Sequence, residues 1–171
     1  SGSRFVLEKL VLGPLRRSVD DLLAAAEGAH LLVSHVVSLA GPLAAERLGV
    51  PRAHSVLQPF AMYSAHDPPI VPMLPFAGWW QRRGPRTWRA LYTLMRAASA
   101  PRLKRVDAER ARLGLPPACG NALFDPWSPL LNLALFSTAI APPQPDWPPH
   151  TIVTGFPIWR GAGHDALPPE L

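Results

Sequence analysis

A histidine directly behind an apolar run is the residue of this chain best placed to move a proton near neutral pH. His35 follows Leu31–Ser34, and an imidazole at the end of a buried strand serves as acid, base or hydrogen-bond partner. His30, His54, His66, His150 and His164 lack the spacing that ligates a metal, so no metal is expected; no cofactor is expected within this chain either. Cys119 is the single cysteine, which excludes an internal disulfide and any multi-cysteine metal site. It stands among prolines and a glycine and reads as incidental rather than nucleophilic. A second group lies between Gln58 and Gly84, where Phe60, Met62, Tyr63, Phe76, Trp79 and Trp80 alternate with Pro59, Pro68, Pro69, Pro72 and Pro75. A loop of this length in a compact domain is functional or disordered, and its aromatic content argues against disorder. Gln58, Phe60, Met62 and Tyr63 are of the types that wall a pocket for a flat, apolar molecule. Trp79 and Trp80 suit either the closing of such a pocket or a membrane interface.

The elements that must position these residues follow from periodicity and stop signals. Arg4–Leu12 reads as a short helix ended by Gly13-Pro14. Ser18 reads as the cap of a second helix, Val19–Glu27, with Asp20 and Asp21 in its first turn and Gly28 as its stop. Leu31–Ser34 is too short for a helix and suits a buried parallel strand. A helix Pro42–Leu48, stopped by Gly49, leads to a second strand, Ala53–Leu57. One helix between two strands is a βαβ unit, which implies a parallel sheet with right-handed crossovers. The aromatic loop then follows the carboxyl end of a parallel strand, where open α/β sheets bind ligands. Arg86–Leu113 is the longest helical pattern, and Pro101 is expected to kink or split it. Leu133–Ser137 and Thr151–Thr154 complete the strands, with the proline loop Ala141–Pro149 between them. Asp146-Trp147 is expected to pin that loop against the domain.

The 171 residues suffice for one ordinary domain, and 48% apolar content with 17% charged residues supports a core. The 22 prolines cluster rather than repeat, which excludes a collagen-like chain. The longest apolar run, Leu130–Phe136, is interrupted by Asn132 and falls short of the ~20 residues of a membrane span. No secretory leader is visible, so a cytoplasmic location is expected, with a peripheral membrane position as a variant. Between Arg82 and Arg112 stand ten basic residues against Asp107 and Glu109, a net charge of +8, while the remainder carries −3. Such a stretch is either a solvated helix face or a surface for phosphates, lipid headgroups or an acidic partner. No nucleic-acid motif accompanies it, so nucleic acid is not expected as a partner. The dominance of Arg over Lys, with abundant Ala and Pro, hints at a GC-rich bacterial source.

Four pieces, in order, carry a family resemblance. LVSHVVSLAGPLAAERLGVP (Leu32–Pro51), RLGLPP (Arg112–Pro117), LALFST (Leu133–Thr138) and APPQPDWPPHTIVTGFPIW (Ala141–Trp159) are together similar to the UDP-glycosyltransferase superfamily. The last piece is the most specific and resembles bacterial sterol-glucosyltransferase-like and antibiotic-type enzymes. The likeness runs from about Val19 to Leu171. It implies an α/β, Rossmann-like parallel sheet forming part of the N-terminal, acceptor-binding domain of a GT-B enzyme, over residues 1–159. Residues 160–171 would begin the linker to a C-terminal donor domain that binds a UDP- or TDP-sugar and lies outside this chain. The implied reaction is inverting transfer of a sugar to a hydroxyl of an apolar acceptor such as a sterol, polyketide or lipid. A base takes the hydroxyl proton while an oxocarbenium-like centre forms. The implied acceptor site comprises His35, Val37, Gln58, Phe60, Met62, Tyr63, Trp79 and Trp80. The family's usual base follows a strand that precedes the start of this chain. In plant-type members the position of His35 holds the aspartate that orients that base, so His35 is the candidate catalytic residue here. By this likeness the chain alone is not expected to transfer sugar.

A different class of function is also compatible with these residues. A non-catalytic lipid-binding or membrane-surface module would use residues 82–112 and Trp79-Trp80 as headgroup and interface anchors. A third option is a fragment without independent function. A sheet with only these four strands is expected to leave an open edge and an uncovered apolar face.

Overall fold

The computed structural model describes residues 5–69, 79 and 82–158. They form an α/β structure around a four-stranded parallel sheet, Rossmann-like in general kind. The strands are β1 (Leu32–His35), β2 (Arg52–Val56), β3 (Leu131–Ala134) and β4 (Thr151–Val153), paired side by side in chain order. Four α-helices accompany them among the described residues: α1 (Leu15–Ala25), α2 (Ala40–Leu48), α3 (Pro85–Ser99) and α4 (Lys104–Arg112).

The strand order decides where the helices go. Right-handed crossovers that always step to the next strand in the same direction all pass over the same side of a sheet. That covered side presents Leu32 and Ser34 of β1, Arg52, His54 and Val56 of β2, and Asn132 and Ala134 of β3. Ala44 and Ala45 of α2 pack on Leu32. Val56 and Ala134 pack with Met62, Phe136 and Ala141, and Trp147 adjoins this cluster. Farther from the sheet, Leu15 and Val19 of α1 meet Leu39, Leu43 and, from the α4 region, Leu103, Val106 and Leu113. The opposite side carries Val33 and Ile152, 57% and 55% exposed, beside half-buried Leu131 and Leu133. The apolar clusters named here include none of these four.

Several boundaries differ from the sequence expectation for identifiable reasons. α1 begins at Leu15 rather than after Ser18, because Pro14 precedes the first turn and the Ser18 N–H donates to the Pro14 carbonyl at 2.9 Å. Ser18 is therefore inside the helix and caps nothing. The N-terminal helical segment covers Val6–Val11 with the wider π-type spacing. β3 starts two residues earlier than expected because Asn132, read as a break in the apolar run, is a fully buried member of the strand. Its carboxamide accepts from the Ser128 N–H at 2.9 Å and donates to the Ser128 and Pro149 carbonyls at 3.0 and 2.9 Å. The amide is thus satisfied without water. Pro101 does divide the long helix: α3 ends at Ser99, a 3₁₀ turn covers Ala100–Leu103, and α4 follows. α2 ends on Gly49 at φ +68°, a conformation that favours glycine.

Candidate functional site

Both βα turns at the carboxyl ends of β1 and β2 open into one cavity of about 550 Å³. After β1 come Val36 and Val37; after β2 come Leu57, Gln58 and a 3₁₀ turn, Pro59–Met62, that presents Phe60. Tyr63, Leu123 and Phe124 close one side, while Leu7 and Val11 of the N-terminal segment close another. His35, the last residue of β1, stands in the wall. The lining is otherwise mostly apolar, and Val37, Leu57 and Phe60 remain well exposed at its rim. An apolar cavity with a few polar groups, at the carboxyl edge of a parallel sheet, is a typical place for a small organic ligand.

The local backbone explains how the wall is held. Tyr63 adopts φ +50°, an uncommon conformation for a tyrosine, immediately after the 3₁₀ turn. Its ring packs against Phe124 at 4.7 Å and edge-on to Tyr92 of α3 at 5.9 Å. Burial pushes the Tyr63 phenol above its ordinary pKa, so it remains protonated. Tyr92 is raised further, chiefly by burial, and its hydroxyl donates to the Ser64 carbonyl at 3.3 Å. The proline loop between β3 and β4 is tied to the same segment. Asp146 accepts from the Ser64 hydroxyl at 2.6 Å and from the Ala65 N–H at 2.7 Å. Trp147 meets Phe136 edge-on at 5.8 Å. The Asp146-Trp147 pair therefore pins its loop to the domain, as expected from the sequence.

Of the residues singled out in the sequence, His35, Val37, Gln58, Phe60 and Tyr63 share this cavity. Met62 does not line it; the 3₁₀ turn points its side chain into the core beside Val56 and Phe136. Trp79 is half-exposed, with the Arg83 guanidinium 3.7 Å from its ring centre, and is not part of the wall. Trp80 lies outside the described residues. No described side chain hydrogen-bonds to the His35 ring. Leu123 and Phe124 are wall residues that the sequence reading missed. They arrive from a loop far along the chain, and only the tertiary fold brings them here. Among the described residues, no cluster of His, Cys, Asp or Glu has the form of a metal site.

The basic stretch is partly neutralised from outside itself. Arg110 forks onto Glu46 of α2 at 2.7 and 2.8 Å, Arg96 meets Asp125 at 2.8 Å, and Arg112 joins Asp20 at 2.6 Å and Glu109 at 2.7 Å. The Arg110–Glu46 and Arg112–Asp20 pairs bind α4 to α2 and α1, and Arg96–Asp125 ties α3 to the loop before β3. Arg82, Arg83, Arg86, Arg89, Arg102, Lys104 and Arg105 remain on the surface. Among the described residues, no helix is long and apolar enough to cross a membrane. Compared with known proteins, the sequence matches no family model and no curated protein.

Proposed function

We propose that this chain is the acceptor-binding part of an inverting, GT-B-type glycosyltransferase acting on an apolar, hydroxyl-bearing acceptor. One observation carries the reading: His35, Val37, Gln58, Phe60 and Tyr63 meet in one cavity at the carboxyl edge of the sheet. The apolar wall would hold the acceptor's rings, while the unpartnered imidazole of His35 offers a base or a positioning group for its hydroxyl. The nucleotide sugar, a UDP- or TDP-sugar, would be held by a separate donor domain facing this edge. Without that domain nothing fixes the leaving diphosphate, and the chain alone is expected to bind acceptor without turnover.

The test pairs two measurements. A fluorescent sterol is titrated into the chain, and transfer from UDP-glucose and TDP-glucose to sterol and polyketide acceptors is assayed with the protein isolated from its native source. The expected result is saturable sterol binding by the chain, no glycoside from the chain alone, and glycoside from the native protein. Glycoside formed by the chain alone would overturn the division of labour. Binding with no transfer at native length would remove the enzymatic reading.

A second reading, a membrane-surface module, is favoured by the exposed Arg82, Arg83 and Arg86 beside the stacked Trp79. It requires salt-sensitive binding to anionic vesicles, and absence of binding at low salt removes it.

A further inference from the structure

A second cavity, of about 300 Å³, lies beside the first, on the covered side of the sheet. It is bounded by β2, α2, α4 and the loop spanning residues 116–126, and of the acceptor residues named above only His35 also borders it. Two groups in its wall lack the partner that their chemistry requires.

The first is Arg52. Its guanidinium donates to the Ser34 hydroxyl at 3.2 Å and to the Trp127 carbonyl at 2.8 Å, both uncharged acceptors. No described carboxylate pairs with it. The carboxylates that line the cavity are engaged elsewhere: Glu46 holds Arg110, and Asp125 holds Arg96. A half-buried guanidinium without a counter-charge is costly, and an anion beside it removes that cost. The second is His54, which is fully buried. Arg52 Nη1 lies 3.4 Å from His54 Nδ1. A guanidinium only donates, so Nδ1 is the acceptor and the proton of the neutral ring sits on Nε2. Nε2 is buried and has no hydrogen-bond partner among the described residues. Burial, with Arg52 and His35 nearby, lowers the His54 pKa to about 4, which keeps the ring neutral at pH 7.

A cation and a neutral N–H donor, adjacent on one strand face, call for the same thing: an anionic oxygen acceptor. Leu39, Leu43 and Val106 supply an apolar surface in the same cavity. We propose that this cavity binds the carboxylate of a small organic acid, held by Arg52 and His54, with the acid's apolar body against Leu43 and Val106.

Cys119 gives a direct readout. It is exposed, lines the cavity, and is the chain's single cysteine. Alkylation of Cys119 by iodoacetamide, followed by intact mass, would be compared with benzoate, benzamide or inorganic phosphate present. Benzoate is expected to slow the reaction saturably and to bind at least about tenfold more tightly than benzamide, since the charge-assisted bonds are lost in the amide. Arg52→Gln is expected to abolish that difference, provided circular dichroism shows a folded chain. No protection by benzoate overturns the proposal, as does equal protection by benzamide or undiminished protection in folded Arg52→Gln. Protection by phosphate alone would reject the carboxylate class. The wild-type comparison decides the matter if the variant does not fold. The readout involves no sugar transfer, so its outcome is independent of the glycosyltransferase reading.

Discussion

At pH 7 the His54 ring is neutral, because protonating it would place a charge in a buried site next to Arg52. In the unfolded chain the same ring titrates near its ordinary value of 6.5. Its folded pKa is depressed, so the stability it contributes is complete above about pH 6.5 and falls as pH drops toward 4. The span corresponds to roughly 3 kcal/mol. Urea unfolding of the wild type should therefore lose stability between neutral pH and about pH 4, and His54→Gln should flatten the curve in that window. A wild-type curve as flat as the variant's would refute the assignment. Asp146 gives a second expectation at this scale. Replacing it by Ala strands the Ala65 N–H and the Ser64 hydroxyl, at a cost of about 1–3 kcal/mol in unfolding free energy, measured by urea titration. Much of the wall of the larger cavity was legible in the sequence, because residues just after a parallel strand must stand at the sheet's carboxyl edge. Leu123 and Phe124 were not, since nothing local in a proline-rich loop announces its tertiary neighbour. His54 was passed over for a related reason: residue type and spacing reveal metal ligation, not burial beside an arginine.

Among the elements, α2 and β1 approach each other closely at Gly41. A Cβ added at Gly41 would stand 2.5 Å from the Ser34 Cβ, nearer than packed carbons can be. Gly41→Ala is expected to cost about 1–3 kcal/mol by forcing the helix off the strand. Adding Ser34→Gly to that variant should recover part of the loss, and thermal melts of the single and double variants check both claims. No recovery would mean that the helix meets another obstacle. The order of strands and helices was readable from stop signals, since Gly28, Gly49 and Gly114 each adopt positive φ after a helix. The strand edges were less readable, because a satisfied buried amide such as Asn132 has the same sequence signature as a break.

For the molecule as a whole, a sheet dressed on one side has a solubility consequence. Val33, Leu131, Leu133 and Ile152 form an apolar surface without a cover among the described residues, and β1 and β4 are edge strands within them. The isolated chain is expected to self-associate in a concentration-dependent manner, and Ile152→Lys should shift sedimentation toward the monomer. A monodisperse monomer at all concentrations would show that this face is tolerated bare. An uncovered apolar face was expected from the small number of strands alone; which face it is follows from the strand order, since one-way crossovers carry connections on one side only.

The pairing register also orders the chain's assembly in time. Leu32 meets Arg52, and Asn132 meets Thr151, across short connections that close quickly. Ala53 must instead find Leu131 after both α3 and α4 have been traversed. The central seam between β2 and β3 is thus the non-local pairing of the sheet and is expected to close after the two outer ones. The Ser128 hydroxyl bonded to the Arg52 carbonyl, and the Arg52 guanidinium bonded to the Trp127 carbonyl, cross that seam. They act as a latch, holding the two strand pairs together once they meet.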